Sequence, residues 1–288
     1  MNETTFRLAA VLMLCFALVS CRSSGALNKT VPIWAKGVDN FYRVTPNLYS
    51  GSQPKGDEGF EALRKLGVRT IISVDGVRPN ITAALHNGMR YVHVPIGYGG
   101  INRDEQIRLV KAATTMPGPI FIHCHQGKHR GPAAMALVLI AVEDWSREHA
   151  AAWMRRAGTS AEYTGLYRTV NQFDPPSRRE LKDADDQLPE LVEPDTLVDA
   201  MVQIDESWQR FKKGRSAEDA LLLRELFREL GRTDQIKRMP VGFMKLLTKA
   251  QQTCEDFETV VRTRPTRIDA AYKAVGKSCA TCHRAYRN

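Results

Sequence analysis

Cys124 and Arg130 bracket five residues, His125, Gln126, Gly127, Lys128 and His129, in the run H-C-H-Q-G-K-H-R-G-P from His123 to Pro132. A thiol and a guanidinium at that spacing suit attack on a phosphate, provided the chain between them curls into a bowl. The flanks supply that setting. Ile120, Phe121 and Ile122 precede the run as a short apolar strand, and Ala133 to Val142 follow it as a long apolar helix. A loop between a strand's C-terminal end and a helix's N-terminus offers free backbone N–H groups and the positive end of the helix dipole, and so binds phosphate. Cys124 is then placed as a thiolate nucleophile. Arg130 can grip two phosphate oxygens with its planar fork, and Gly127 lets the backbone turn close to the anion. The same flanks argue against a merely structural buried cysteine with an unrelated arginine nearby.

His123, Cys124, Gly127 and Arg130 in this order resemble the H-C-x5-R loop of the cysteine-dependent phosphatases, in their small dual-specificity branch. The resemblance implies phosphomonoester hydrolysis through a cysteinyl-phosphate, with His125, Gln126, Gly127, Lys128, His129 and Gly131 around the substrate. Lys128, His125 and His129 would add cationic capacity, or the two imidazoles would be rim residues in solvent. His123 orders the loop by hydrogen bonds. Two departures stand out. The family's proton donor, an Asp on a mobile loop, follows the strand placed here at Tyr91–Pro95, but Ile96-Gly97-Tyr98-Gly99-Gly100 carries no acid. Asp104 is the nearest candidate, and it could equally be a helix-start charge. The Ser or Thr usual after the arginine is Gly131. A phosphate-binding module with weak turnover is therefore the alternative to an enzyme.

The elements that must position the loop follow from periodicity. Phe41 to Val44 alternates as a strand, and Asn47 to Pro54 is similar to the hairpin that opens small dual-specificity phosphatases. Phe60, Leu63 and Leu66 mark a helix ended by Gly67. Val68 to Val74 is a strand covered on both faces. Asn80 to Asn87 is a helix, Tyr91 to Pro95 a strand, and Asp104 to Ala113 a helix. Ser146 caps a helix to about Arg156, and Tyr163 to Phe173 forms the last one. Strands alternating with helices imply an α/β domain over 38–176, with a parallel-rich sheet flanked by helices.

The chain has 288 residues and a formal charge of +9, with 43% apolar and 25% charged residues. That size suggests two domains, and the charge favours anionic partners. No Lys/Arg run with interleaved aromatics points to nucleic acid. Leu8 to Val19 is apolar but too short to span a bilayer, and it reads as a secretory segment. Leu18-Val19-Ser20-Cys21 resembles a bacterial lipobox. That resemblance implies cleavage after residue 20, lipid on Cys21, and a mature protein held at the periplasmic face of a bacterial membrane; an uncleaved anchor is the alternative. Residues 1–21 are thus signal and lipobox, and 22–37 a tether. Six cysteines do not make a disulfide framework here: Cys254 reads as a small buried hydrophobe.

Residues 177–194 are polar and acidic, with Asp183, Asp185, Asp186, Glu190 and Glu193, and read as an interdomain linker or a loose helical segment. Four apolar stripes at helical spacing follow over 195–288. They are Leu197 to Phe211, Leu222 to Leu230, Phe243 to Val261, and Ile268 to Tyr286, and they imply an all-α four-helix bundle. In the fourth, Cys279-Ala280-Thr281-Cys282-His283 is C-x-x-C-H, the c-type haem attachment motif. Both sulfurs fall on the core side of the helix, and His283 would be the proximal iron ligand. A zinc half-site lacks a second ligand pair, and a redox dithiol lacks its βαβ setting. The bundle resembles cytochrome c prime, which implies one covalent haem c and a redox partner or gas ligand. Met201 is a candidate sixth ligand or simply a core methionine.

Overall fold

The computed structural model describes residues 30–184 and 188–287. The signal segment, Cys21 and the first half of the expected tether lie outside them, as do Asp185 and Asp186. The elements run β1 (Val31–Pro32), β2 (Tyr42–Arg43), β3 (Leu48–Ser52), α1 (Gly56–Lys65), β4 (Thr70–Ser73), α2 (Ile81–His86), β5 (Arg90–His93), α3 (Arg103–Thr115), β6 (Ile120–Cys124), α4 (Arg130–Val142), α5 (Arg147–Arg156), α6 (Thr164–Gln172) and α7 (Arg178–Asp183). Helices alone follow: α8 (Leu197–Gly214), α9 (Ala217–Leu230), α10 (Asp234–Lys237), α11 (Val241–Thr263) and α12 (Ile268–Tyr286).

The six strands form one sheet in the order β1-β2-β3-β6-β4-β5. β3, β6, β4 and β5 are mutually parallel, as the alternation of strands and helices predicts. The hairpin strands β1 and β2 add antiparallel pairs, so the sheet is mixed rather than uniformly parallel. β6 lies between β3 and β4, and all five of its residues are buried. Its alternating side chains feed two cores. Ile122 packs with Ile72, Val92 and Leu109 under α3 to α6. Phe121 packs with Ile71, Tyr91, Phe60 and Leu63 under α1 and α2. α4 leaves β6 apolar nearly all round and buries ten of its residues, as a helix enclosed on every side must.

Two expected connectors are docked instead. The described end of the tether joins the sheet, with Val31 paired to Arg43. Pro32 is tolerated there because an edge strand needs no inward donor. The expected linker, 177–194, is anchored to the α/β region. Ser177 and Glu180 form a capping box on α7, and Arg103 Nη2 donates to Glu180 at 2.7 Å. His93 N donates to Pro189 O at 2.8 Å, which occupies part of the open edge of β5.

The C-terminal region is helical, with a core built on Ile204, Phe211, Leu223, Phe227, Leu247, Cys254, Phe257 and Val275. Cys254 is fully buried and its thiol is pushed up by that burial, as expected of a small hydrophobe. One stripe divides. Leu222, expected in this core, packs instead against the α/β region, where its methyls lie beside Gly99. Leu221 is buried in that same core. α9 therefore touches both regions.

Candidate active site

β6 ends on Cys124 and α4 begins on Arg130, so the sheet and the buried helix fix both ends of the loop. Its carbonyls are held from outside. His125 O accepts from Gln53 N at 3.1 Å, Gly127 O from Asn40 Nδ2 at 2.8 Å, and Lys128 O from Thr159 Oγ1 at 2.7 Å. In a trans peptide C=O and N–H point in opposite directions, so this turns the amides of Gln126, Lys128 and His129 toward the inside of the bowl. Gly127 has φ +69° and lies so close to β3 that a Cβ would stand 2.6 Å from Ser52 N. Only glycine fits.

Arg130 is 1% exposed and closely held. Nη2 donates to Asp75 Oδ1 at 2.8 Å. Nη1 donates to Ile96 O at 3.1 Å and to both carboxylate oxygens of Glu229 at 3.0 Å. Tyr98 stacks over the guanidinium, its ring centre 4.2 Å away. Burial works against the charge, but the fields of Glu229, Tyr98 and Asp75 outweigh it and keep Arg130 cationic. Nε is buried with no partner among the described residues, as is His125 Nδ1. Buried polar atoms left unpaired are costly, and both of these belong to the loop that begins at Cys124.

Asp75, Glu229 and Arg232 carry no signal in the H-C-x5-R run. Asp75 follows β4 at the carboxyl edge of the parallel strands, where α/β sheets commonly bind ligands, so its position was open to suspicion. Burial would raise its pKa, but hydrogen bonds from Arg232 and the charge of Arg130 hold it below the usual carboxylate range. Arg232 grips it with two bonds of 2.7 Å. Glu229 and Arg232 come from the end of α9 and just beyond it, a region whose sequence signalled only core packing.

A cleft of about 440 Å³ separates the loop from the helical region, with Tyr98, Cys124, His125 and His129 on one wall and Glu225, Glu229 and Arg232 on the other. Cys124 is 3% exposed. His129 stacks on Tyr163, ring centres 4.1 Å apart, and burial lowers its pKa to about 4. It is thus neutral and half-buried on the cleft wall, and not a source of charge. His125 is half-buried, with its pKa lowered by burial and by Arg232. Lys128 and Gln126 are exposed. His123 is buried and held near pKa 4 by that burial. It lies 3.3 Å from both Tyr91 OH and Cys124 O, in keeping with a loop-ordering role. Gly131 abuts the sulfur, since its Cβ would lie 3.4 Å from Cys124 Sγ. Asp104 is not brought to the site. It is exposed on the first turn of α3, beside the capping box of Asn102 and Glu105, and does not line the cleft. A helix-start charge explains it.

A second cavity, about 740 Å³, lies in the helical region between α8, α9, α11 and α12. Cys279, Cys282 and His283 line it together with Met201, Phe227 and Phe243. Both cysteines are unpaired and half-buried, and burial raises both thiols. At its mouth Val198 is 71% exposed and Val202 53%, more apolar surface than a finished helix face normally leaves in water.

No family model matches the chain. The dual specificity protein phosphatase TpbA of Pseudomonas aeruginosa strain UCBPP-PA14 is 28% identical over 137 residues, 46% of this chain and 62% of that relative. About half of this chain is similar to that dual specificity phosphatase. The chain thus spans roughly three-fifths of the curated relative's length. Among solved structures, a P. aeruginosa TpbA variant in complex with phosphotyrosine is 24% identical, with 50% of this chain and 91% of that one covered and a TM-score of 0.42. The core catalytic domain of the S. cerevisiae PP-IP phosphatase SIW14 is 20% identical, covering 50% of this chain and 88% of that one at a TM-score of 0.42. These matches leave the helical region, which follows the phosphatase-like domain, to be read from its own residues.

Proposed function

We propose that this protein hydrolyses phosphomonoesters through a cysteinyl-phosphate and also carries one covalent haem c. One observation carries the hydrolytic reading: Cys124 lines the cleft at the start of a loop whose carbonyls are tied outward, and the Arg130 that closes that loop keeps its Nε without a partner among the described residues. Cys124 Sγ attacks phosphorus, the loop amides and Arg130 stabilise the equatorial oxygens, and water then releases phosphate. The similarity to the TpbA phosphatase supports a phosphorylated protein side chain or a small aryl phosphate as substrate. The test is an aryl phosphate assay of the wild type against Cys124→Ser. The wild type turns over and the variant does not; equal background rates in both would leave a phosphate-binding module and end the enzyme reading.

The helical region reads as a cytochrome c prime-like four-helix bundle of α8, α9, α11 and α12. The second cavity supports that reading, because it is apolar, of cofactor size, and lined by two free thiols one helical turn apart with His283 beside them. Cys279 and Cys282 would hold the haem covalently, and His283 would face its iron. Val198 and Val202 line the same cavity and would add apolar contact to such a group. When bound, such a group supplies electron transfer to a redox partner or capture of a small gas. Protein made with haem-attachment machinery shows a Soret band that Cys279→Ser with Cys282→Ser removes; no band in the wild type rejects the haem. Export and lipidation at Cys21 hold the protein at the periplasmic membrane face, and Cys21→Ala releases it into the soluble fraction.

A further inference from the structure

The phosphatase-like domain lacks the acid its chemistry needs. An alkoxide or phenoxide leaves phosphorus readily only when a positioned group protonates it. The loop after β5 is Ile96 to Gly100, without a carboxyl, and Asp104 is turned to solvent. Four carboxyls remain close to the cleft. Asp75 is buried behind Arg130, and two arginines hold it ionised. Glu225 is fastened by Arg224, Arg228 and Tyr163 OH. Burial would raise its pKa, but Arg224 leads the charges that lower it. Glu255 is spent on Arg228. Glu229, the fourth, is also ion-paired, to Arg130 at 3.0 Å and to Arg232 at 3.9 Å, but it alone lines the cleft while sharing the arginine that closes the catalytic loop.

Glu229 is the last-turn residue of α9 that reaches back to the catalytic loop. Both of its oxygens lie 3.0 Å from Arg130 Nη1, and its side chain is 21% exposed, open to the cleft that holds Cys124. Gly76 makes room for it: a Cβ there would collide with the Glu229 carboxylate. Nη1 also holds Ile96 O, at the root of the loop on which an acid was expected. Arg130 Nε remains free. Glu229 therefore sits at the edge of the anion bowl and leaves a guanidinium donor for phosphate.

Resting on the phosphatase reading, we propose that Glu229, from the helical region, is the proton donor to the leaving group. A phosphate dianion entering the bowl shares the Arg130 guanidinium with the Glu229 carboxylate. In the reactive form Glu229 carries the proton, beside the Arg130 guanidinium that the phosphate also uses. As Cys124 Sγ bonds to phosphorus, the bond from phosphorus to the ester oxygen breaks and that oxygen takes the Glu229 proton. In the second half a water oxygen bonds to phosphorus, the S–P bond breaks, and the Glu229 carboxylate receives the water's proton. The helical region thus completes the site, and Gly76 and Arg232 register it there.

The test compares wild type, Glu229→Gln, Glu229→Asp and Gly76→Ala on para-nitrophenyl phosphate and phenyl phosphate, with Cys124→Ser as the blank. Glu229→Gln keeps shape and loses the proton. It should lower kcat on phenyl phosphate by about 10²-fold or more, and much less on para-nitrophenyl phosphate, whose leaving group needs little help. Glu229→Gln should also lose the alkaline fall of kcat/KM that Glu229→Asp retains, and Gly76→Ala should mimic Glu229→Gln by evicting the side chain. Equal losses on both esters, or none, would show Glu229 to be structural and overturn the proposal. A faster Glu229→Gln would make it an inhibitory plug and overturn it too. A wild type no faster than Cys124→Ser on either ester is a different failure, since it removes the phosphatase reading itself.

Discussion

Replacing Asp75 with Asn removes one charge from a buried cluster and almost no volume. The carboxylate is 3% exposed and receives Arg130 Nη2 at 2.8 Å and two Arg232 nitrogens at 2.7 Å. Breaking one side of a buried ion pair costs about 3–5 kcal/mol, because the remaining charge is left uncompensated. Arg130, 1% exposed, would keep Glu229, Ile96 O and the Tyr98 ring. Arg232 is 22% exposed and can recover some water, and the Asn oxygen can retain a neutral hydrogen bond worth about 1 kcal/mol. The expected net loss is about 2–4 kcal/mol, read by urea unfolding at pH 7 with far-UV circular dichroism. A double-mutant cycle with Arg232→Gln should return about 0.5–3 kcal/mol of coupling, since the two residues touch. The pH dependence has a definite sign. A carboxyl with depressed folded pKa stabilises the protein above its unfolded value near 4 and loses that contribution as the solution is acidified below it. Asp75→Asn should therefore flatten the acid limb. A loss under about 0.5 kcal/mol, within the range of an ordinary surface change, would refute the cluster as the tie between the two regions.

Three further outcomes follow from the site. His123 is held near pKa 4, against 6.5 for the free side chain, by its burial. The unfolded chain then binds more protons between those values, so stability is full above pH 6.5 and falls toward pH 4 by up to about 3 kcal/mol; an unchanged slope in His123→Asn would contradict this. Gly127→Ala drives a Cβ into the β3 backbone from a left-handed φ of +69°. It should cost about 3 kcal/mol and abolish vanadate binding, and a variant as stable as wild type would show that the bowl can yield. Asp104→Asn alters only an exposed helix start, so kcat/KM should change less than about two-fold. A ten-fold fall would restore Asp104 as the acid.

The anion bowl was legible in the sequence because it is local. Cys124, Gly127 and Arg130 lie within one strand–loop–helix unit, and the apolar flanks that fix them are adjacent in the chain. The sheet's alternation was legible for the same reason. Long-range ties were not. Tyr163 stacking on His129, Arg232 on Asp75 and Glu229 on Arg130 join residues far apart in sequence. α9 carries Glu229 on a face that periodicity could describe only as the polar side of an amphipathic helix. Leu222 was assigned to the wrong core for a related reason: a helix between two packed regions needs two apolar faces, and a single stripe cannot say which neighbour each one meets. The helical alternative for 177–194 is seen in α7, but the docking of this stretch was not legible, because it rests on long-range contacts such as Arg103 with Glu180 and His93 N with Pro189 O.

The most direct test of the central claim is to trap the covalent intermediate. Wild-type protein mixed with an aryl phosphate, quenched in acid within its first turnover and digested should yield one phosphorylated peptide, with the phosphate on Cys124, and Cys124→Ser should yield none. Turnover of the ester with no phosphate on Cys124, or with phosphate on another residue, would contradict the account.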